Sequence, residues 1–382
     1  MKTDNIKFQN FIDSTQYGYT ADETSFENGD CKYLRITDIV PYFVEKETVP
    51  FCKIPEEKKA QYMITDGDLL IARTGATTGY NLIVDDSFKN FIFASYLIRF
   101  NYDKKKLFPL YVKYVLKSKL WYGFVNNYIS GSAQPGMNAR VFGKFNFPYV
   151  PLSTQQKIAS ILSAYDNLIQ NYKKQIEALQ TAASELYKEW FVRFRFPGWQ
   201  NAKIENGIPE GWKVVLASEL GEFVRGKNIT AEEMQEGMIP VISAGIEPSG
   251  FHNQSNVKGV SLTISNSGAN AGYLQINYSD IWAADCSYCN SAKHIYFYYE
   301  LLNNMRVVLF NLQKGAAQPH VYAKDINKMK ILLPSTELIE IANKKIKLMH
   351  EKIYSLQQQI TNLTQQRDLL LPRLMSGKLE VE

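Results

Sequence analysis

Two stretches of the chain carry apolar residues at alternating spacings of three and four. The first covers residues 153–194 and contains neither proline nor glycine. This heptad spacing predicts a helix roughly 60 Å long, at about 1.5 Å per residue, whose apolar face needs a partner helix. The apolar positions of this first seam are Ile158, Leu162, Tyr165, Ile169, Tyr172, Ile176, Leu179, Ala183, Leu186 and Trp190.

The second stretch supplies a partner helix within the same chain. Its seam superposes on the first at an offset of 184 residues (346 − 162, and again 374 − 190). Because the first helix leads away from one globular segment and the second begins after another, the second must run back, which predicts an antiparallel coiled coil. Pro372 is expected to break or kink the last turn. The second seam consists of Ile339, Ala342, Ile346, Met349, Ile353, Leu356, Ile360, Leu363, the polar Arg367, Leu370 and Leu374.

The repeat extends beyond the helices. GSAQP at 131–135 returns as GAAQP at 315–319, again 184 residues later, and the turn at 69–80 returns at 262–273. The chain is therefore two copies of one unit, a globular module followed by a long helix. We place the first module at 1–151, its helix at 152–196, the second module at 197–333 with a linker at 197–211, and the second helix at 334–382.

Short apolar and aromatic runs predict strands in both modules. We expect strands at 33–36, 69–72 and 91–100 in the first module, and at 239–242, 261–265 and 295–299 in the second. Helices are predicted at 107–120 and 301–312. This mixture indicates an α+β fold: two pseudo-repeated mixed α/β modules, separated by two long helices that form an antiparallel coiled coil.

Composition sets broad limits on function. A hydrophobic content of 45% with 13% aromatic residues is typical of a globular protein, and a net charge of +5 permits nucleic-acid binding without demonstrating it. No apolar run reaches the length of a membrane span, the first residues lack a signal-peptide core, and four cysteines do not make a disulfide framework. We therefore expect a cytoplasmic protein that does not contact a membrane.

The sequence offers little support for catalysis. It contains no glycine-rich phosphate loop and no Asn-Pro-Pro-aromatic or Asp-Pro-Pro-aromatic stretch of the kind that amino-methyltransferases use. Cys286 and Cys289, with His294 nearby, have the spacing of half a zinc site, but Cys31 and Cys52 lie in the other module. We interpret the cysteine pair as small buried residues of a strand, and we predict no metal and no catalytic residue.

Several motifs in a fixed order identify a family. They are the turn at 75–80, the loop at 131–136, PLSTQQKIA at 151–159, ELYKEWFVRF at 185–194 and LPRLMSGKL at 371–379. With them the chain resembles, over essentially its whole length, the specificity subunit of type I restriction–modification systems. It departs from that pattern at 334–342, where PSTELIEIA lacks the Gln-Gln-Lys of the first helix.

The resemblance implies a non-catalytic reader of double-stranded DNA. The two modules would be target recognition domains, and the site would be bipartite and asymmetric because the modules differ. The implied partners are two methyltransferase (modification) subunits, which use S-adenosylmethionine, and restriction/motor subunits that use ATP and magnesium; no cofactor is implied for this chain. Two alternatives stay open: an antiparallel coiled-coil adaptor with two protein-binding modules, and a self-contained DNA methyltransferase or nuclease.

Elements that both modules share are not expected to choose bases. Their glycines, Gly75, Gly79, Gly131, Gly268, Gly272 and Gly315, predict turn geometry. Base reading is expected beside these shared glycines, at positions where the modules differ. One such position is Arg73, which aligns with Asn266; Arg suits guanine and Asn suits adenine in the major groove. For any one position the alternative is a residue satisfied within its own module. Further candidates are Thr77, Thr78, Arg99, Gln134, Asn138 and Arg140 in the first module, and Arg225, Lys227, Asn270, Gln318 and His320 in the second.

Overall fold

A computed structural model describes residues 4–25, 28–129, 136–315, 319–375 and 379. The chain divides into two compact units. The first comprises residues 1–170 and 361–382, and the second comprises residues 171–360. Each unit therefore contains one globular module together with segments of both long helices.

The first module is built from three small sheets and four short helices within its described residues. The elements are β1 (Asp4–Lys7), β2 (Ile12–Tyr17), β3 (Glu23–Thr24), β4 (Cys31–Leu34), β5 (Phe51–Cys52), α1 (Glu56–Tyr62), β6 (Leu69–Ala72), β7 (Asn81–Ile83), β8 (Phe91–Phe93), β9 (Leu97–Tyr102), α2 (Pro109–Leu116), α3 (Lys119–Ile129), α4 (Ala139–Phe142) and β10 (Asn146–Tyr149). The sheets are β2-β9-β6-β7, which is antiparallel, β3-β5-β4-β8, in which β4 and β8 run parallel, and the pair β1-β10.

Strand β6 is an uninterrupted apolar run because both of its faces are covered. Leu69 and Ile71 pack into the core formed with α2 and α3, whereas Leu70 and Ala72 pack into a separate core against β4 and β8. All four residues are buried. A strand covered on both faces loses the polar alternation of a half-exposed strand, so its sequence reads as a continuous apolar segment.

The first long helix, α5 (Leu152–Tyr187), begins directly after the first module and has one irregular end. Residues Lys188–Val192 form a π-helical turn in place of the predicted regular helix through residue 194. In this turn the adjacent side chains of Trp190 and Phe191 are both buried. Both rings belong to the hydrophobic core of the second unit.

The second module repeats the plan of the first. Its elements are β11 (Ile204–Glu205), β12 (Ile208–Pro209), β13 (Lys213–Leu216), β14 (Val224–Arg225), β15 (Ile239–Ile242), β16 (Gly250–His252), β17 (Ser261–Ser265), β18 (Leu274–Asn277), β19 (Trp282–Ala283), β20 (Cys286–Cys289), α6 (Ile295–Asn304), α7 (Arg306–Asn311), α8 (Ala323–Asn327) and β21 (Lys330–Leu333). The sheet β14-β20-β17-β18 corresponds to β2-β9-β6-β7, the parallel pair β15–β19 corresponds to β4–β8, and β13-β21 corresponds to β1-β10. The predicted internal repeat is therefore confirmed at the level of strand pairing.

The second long helix, α9 (Thr336–Met375), packs antiparallel to α5. In the first unit, Ile158 near the start of α5 shares a core with Leu374 near the end of α9. In the second unit, Ala183 near the end of α5 shares a core with Ile339 and Ile346 near the start of α9. Every predicted seam position of both helices is buried or half-buried. The predicted fold class is confirmed.

Several local predictions were wrong. The predicted strand at 295–299 is the start of α6, in which Phe297, Tyr298 and Leu301 are buried against β17 and β18. The predicted single strand at 91–100 is two strands, because the chain leaves one sheet and joins another at residues 94–96. The predicted helix at 107–120 is divided between α2 and α3. The predicted helix at 301–312 is likewise divided, between the end of α6 and α7.

Pro372 does not end the second helix. Helix α9 continues past this proline to Met375, so of the two predicted outcomes, a break or a kink, the break does not occur. Proline removes one backbone hydrogen bond and crowds the carbonyl group of Asp368, but Leu371 and Leu374 on either side of it are buried in the first core. Burial of both flanking leucines stabilises the last turn.

Candidate nucleic-acid interface

A glycine turn occupies the same place in both modules. In the first module it joins β6 to β7, with positive φ angles of 73° at Gly75 and 87° at Gly79. In the second module it joins β17 to β18, with 74° at Gly268 and 86° at Gly272. Residues with a Cβ rarely adopt such angles, so the prediction of turn geometry is confirmed at these four positions. Gly315 also has a positive φ, of 96°, and Gly131 lies outside the described residues.

A second pair of equivalent glycines was not found when the sequences of the two modules were aligned. Gly18 follows β2 and donates a backbone hydrogen bond to the oxygen of Leu97 (3.2 Å), and Gly226 follows β14 and donates in the same way to Cys286 (2.8 Å). A Cβ atom on Gly18 would lie 2.2 Å from the carbonyl oxygen of Ala94, and one on Gly226 would lie 2.4 Å from the carbonyl oxygen of Ala284. The residues that precede these glycines, Tyr17 and Arg225, are therefore structurally equivalent.

Backbone hydrogen bonds identify another equivalent pair beside the turn. The amide of Arg73 donates to the oxygen of Tyr96 (3.1 Å), and the amide of Asn266 donates to the oxygen of Asp285 (3.3 Å). Arg73 and Asn266 are thus equivalent, as the sequence alignment predicted. Their neighbours across the sheet, Tyr96 and Asp285, are equivalent as well, although no sequence motif relates them.

The segments that contain Met137 and Val321 provide a third correspondence between the modules. The amide of Met137 donates to the oxygen of Arg73 (2.8 Å), and the amide of Val321 donates to the oxygen of Asn266 (2.9 Å). The preceding residues are Gly136 and His320. A common backbone frame consequently presents different side chains at each equivalent position of the two modules.

In the first module this frame presents an arginine between two tyrosines, which we name the first cluster. The guanidinium carbon of Arg73 lies 5.1 Å from the ring centre of Tyr17 and 5.9 Å from that of Tyr96. The Nε atom donates to the backbone oxygen of Ser95 (3.2 Å), and neither Nη atom bonds to a described residue. The tyrosines are 46% and 56% exposed. The rings hold the guanidinium in place by cation–π contact and leave its outer donors available.

In the second module the frame presents Arg225, Ser267, Asp285 and His320, which we name the second cluster. These four side chains line one open depression in the surface. The hydroxyl of Ser267 donates to Oδ2 of Asp285. Arg225 is exposed and forms no ion pair with any residue that the structure describes. The depression therefore combines free guanidinium donors with an oriented carboxylate.

Three predicted base readers are engaged inside their modules. Thr78 is 3% exposed and its hydroxyl donates to the oxygen of Gly75 at 2.8 Å. The guanidinium of Arg99 forms an ion pair with Asp68 (3.4 Å) and bonds to backbone oxygens. Asn266 is 7% exposed and accepts a hydrogen bond from Ser287. Because Thr78 and Asn266 are buried and both Nη atoms of Arg99 already have partners, we leave these three out of the candidate interface.

The remaining candidates differ in exposure. Asn138 caps α4 by accepting from the amide of Val141 (3.0 Å), and Arg140 is exposed on the same helix. Lys227 is exposed, with its amine 6.0 Å from the ring centre of Trp282. Thr77 and Asn270 are half-buried in the two glycine turns, and Gln134 and Gln318 lie outside the described residues.

The cysteine pair forms part of a strand, as interpreted from the sequence. Cys286 and Cys289 begin and end β20 and are almost fully buried. Burial raises the pKa of the Cys286 thiol to about 12 and also raises the pKa of Cys289. Across the described ranges, no group of three or more His, Cys, Asp or Glu side chains is arranged to hold a metal ion.

Buried polar contacts join each module to the long helices, and the sequence did not predict them. In the first unit, Asp166 of α5 accepts from Arg367 of α9 (2.8 Å), from Lys113 (2.7 Å) and from Tyr114 (2.9 Å). In the second unit, His350 of α9 contacts Glu300 of α6 at 3.2 Å. Each module is therefore fixed to its helical segment by specific polar contacts as well as by apolar packing.

Comparisons with known proteins place these features in context. The model of the type I restriction modification DNA specificity domain matches residues 19–181 and again 209–369. The MjaIX specificity subunit of Methanocaldococcus jannaschii is 28% identical over 301 residues, which cover 71% of this chain and 69% of that protein. The HindI specificity subunit of Haemophilus influenzae is 20% identical, covering 86% of this chain and 91% of that protein.

A solved structure has the same fold. The S subunit of a type I restriction–modification system from Mycoplasma genitalium superposes with a TM-score of 0.62 at 18% identity, covering 98% of this chain and 96% of that one. Among the described residues no helix is both long enough and apolar enough to cross a membrane.

Proposed function

Because the chain belongs to the family of type I restriction–modification DNA specificity domains, we propose that it is the sequence-reading subunit of such a complex, with each module reading one part of a bipartite, asymmetric DNA target. The observation that carries this proposal is the common frame with different exposed side chains. Two modules that bound the same ligand would be expected to present the same groups. These two instead present Arg73 between tyrosines and Arg225 beside Asp285.

The chemistry of both clusters suits base edges. Arginine donates two parallel hydrogen bonds to guanine O6 and N7, and a carboxylate accepts from an exocyclic amine such as cytosine N4. Exposed tyrosines provide flat apolar faces for contact with nucleotides. The net charge of +5 favours approach to a phosphate backbone, which supplies affinity without sequence preference.

In this proposal the chain performs no catalysis of its own. It binds two modification subunits, which transfer methyl groups from S-adenosylmethionine, and restriction/motor subunits that use ATP and magnesium, in the cytoplasm. The long helices offer surfaces for these partners. Leu348 and Leu369 of α9, for example, are 62% and 66% exposed.

The adaptor alternative rests on exposed apolar side chains of the second module, notably Val307 and Phe310 on α7. Such side chains fit protein contacts, but they are equally compatible with a reader that works within a complex. The model of the DNA specificity domain matches the chain twice, at residues 19–181 and 209–369, which favours DNA reading.

The decisive experiment is selection of binding sites from a library of randomised duplexes by the full-length chain, followed by sequencing. We expect two constant blocks of different sequence, separated by a spacer of fixed length and free composition. Recovery of no enriched sequence, with a partner protein captured instead, would contradict the proposal and support the adaptor. Methylation mapping in cells that express the whole system gives an independent determination of the same target.

A further inference from the structure

We propose that Arg225 and Asp285 are the specificity-determining pair of the second module and that together they read one G·C base pair. This inference rests on the proposed function and deepens it. Arg225 would donate to guanine O6 and N7, and Asp285 would accept from the N4 amine of the paired cytosine. Neither residue belongs to a sequence motif that the two modules share.

Arg225 and Asp285 lie at the ends of neighbouring strands. Arg225 is the last residue of β14, and Asp285 directly precedes β20, the neighbouring strand of the same sheet. Both side chains line the same depression as Ser267 and His320. The fold thus brings together two residues that are 60 positions apart in the sequence (285 − 225).

Both side chains keep hydrogen-bonding groups available for a ligand. The hydroxyl of Ser267 occupies Oδ2 of Asp285 and fixes the orientation of the carboxylate, whereas Oδ1 accepts no hydrogen bond from the described residues. Arg225 is exposed and bonds to no described residue. The pair therefore offers donors from one side chain and an acceptor from the other, which is the complement of the G·C edge in the major groove.

The negative charge of Asp285 restricts which part of DNA it can face. A carboxylate that faced the phosphate backbone would be repelled by it, so phosphate contacts come from Arg, Lys and neutral donors. An oriented carboxylate inside a DNA-facing depression is favourable only where it meets a hydrogen-bond donor. In the major groove such donors are the amines of cytosine and adenine, and the adjacent arginine selects the cytosine of a G·C pair.

The first module provides an internal comparison. Its equivalent positions hold Tyr17 and Tyr96, which carry no charge and flank Arg73. The first cluster therefore lacks the carboxylate that Asp285 provides. The two clusters present different hydrogen-bonding groups, and substitutions in them should affect different blocks of the target.

The test repeats the randomised-duplex selection with full-length variants. Arg225→Ala should reduce the preference for one G·C pair on the order of 10- to 100-fold, the range expected for one bidentate contact. Asp285→Asn should relax the same block of the target, and Tyr96→Ala should affect the other block. Arg225→Lys keeps the charge and loses the bidentate fork, so it should lose the preference while retaining overall affinity.

Glu247→Gln is the matched control for Asp285→Asn, because Glu247 is an exposed carboxylate of the same module that lies outside the lining of the depression and loses the same charge. It should leave the target unchanged. Lys227→Ala should weaken binding to all sequences alike, as expected for a phosphate contact.

If both changes in the pair keep the original target, or if they alter different blocks, the inference is wrong although the proposed function stands. If the unmodified chain selects no sequence, the proposed function fails, and the inference fails with it. Thermal unfolding of each variant separates loss of selectivity from loss of fold.

Discussion

Arg367 of α9 donates a hydrogen bond from Nη1 to Oδ1 of Asp166 of α5 across 2.8 Å, and both side chains are almost fully buried. Tyr42 completes the arrangement, with its ring centre 4.0 Å from the guanidinium carbon of Arg367 and its hydroxyl 3.2 Å from Asp166. The one polar residue of the second seam thus has a charged partner on the facing helix. Its burial is compensated, which explains how an arginine occupies an otherwise apolar seam.

Removing this arginine should destabilise the first unit. Arg367→Met leaves the buried carboxylate of Asp166 with Lys113 as its remaining charged partner, so we expect a loss of about 2–4 kcal/mol in the free energy of unfolding. Urea denaturation measures this loss. Gln366→Met, an exposed change on the same helix, should have little effect. Combining Arg367→Met with Asp166→Asn should cost less than the sum of the two single changes, and strict additivity would contradict the coupling.

The glycine turn gives a graded prediction. Gly75→Ala should cost about 1–2 kcal/mol of stability because φ is 73°, although a Cβ atom there would have no neighbour within 4 Å. Gly79→Ala should cost more, since its Cβ would also lie 2.7 Å from Val125. Denaturation measures both losses. Neither change should alter the selected DNA sequence, and a new target for Gly75→Ala would mean that the turn itself reads bases.

The sequence predicted those parts of the fold that depend on periodicity. The heptad seams and the doubly buried strand β6 leave clear apolar patterns, and both are present in the structure. The pattern was insufficient at 295–299, where Ile, Tyr and Phe favour a strand by intrinsic preference but form α6. Burial of Phe297, Tyr298, Leu301 and Leu302 on one broad helical face decided the outcome.

The candidate interface was predictable only in part, because its residues come from separate strands. Sequence alignment paired Arg73 with Asn266 correctly, but the side chain of Asn266 turns inward to Ser287. Asp285 and Tyr96 belong to no shared motif, and only strand pairing identifies them as equivalent. A local alignment cannot find such residues, whereas the pattern of backbone hydrogen bonds that both modules share does.

Lys117 should make stability depend on pH. Burial, followed by the neighbouring charge of Lys113, lowers the pKa of Lys117 to about 8. Between this value and the unfolded pKa of about 10.4 the unfolded chain binds more protons, so the contribution of Lys117 to stability rises with pH. Lys117→Met should therefore stabilise the protein by about 1–2 kcal/mol at pH 7.

Denaturation at several pH values checks this prediction. The gain from Lys117→Met should be full below pH 8 and should shrink as the pH rises towards 10.4. Lys119→Met changes an exposed lysine two residues away and serves as the control, with no such trend expected. A gain that stays constant across this range would assign the effect to packing instead of charge.

An insertion in α5 tests whether the helices set the spacing of the two half-sites. Four residues added after the exposed Thr181 extend a helix by about 6 Å, rotate the C-terminal part of that helix by about 40°, and disturb the register of the seam. We expect both blocks of the target to persist while the spacer changes by about two base pairs, at roughly 3.4 Å per pair.

Randomised-duplex selection with the insertion variant measures the spacer directly. A seven-residue insertion at the same point preserves the heptad and is the matched control for destabilisation of the seam. An insertion variant that selects the original spacer with full affinity would show that α5 does not determine this distance.

The buried cysteines have a practical consequence. Cys31 and Cys52 belong to the first unit, Cys286 and Cys289 belong to the second, and none is more than 1% exposed. Burial also raises the pKa of these thiols, so alkylating reagents can modify them only when the surrounding core opens. The rate of thiol labelling under native conditions therefore reports the rate at which the core of each unit opens. Mass spectrometry of the labelled peptides can compare how firmly two copies of one fold are closed within a single molecule, without any introduced probe.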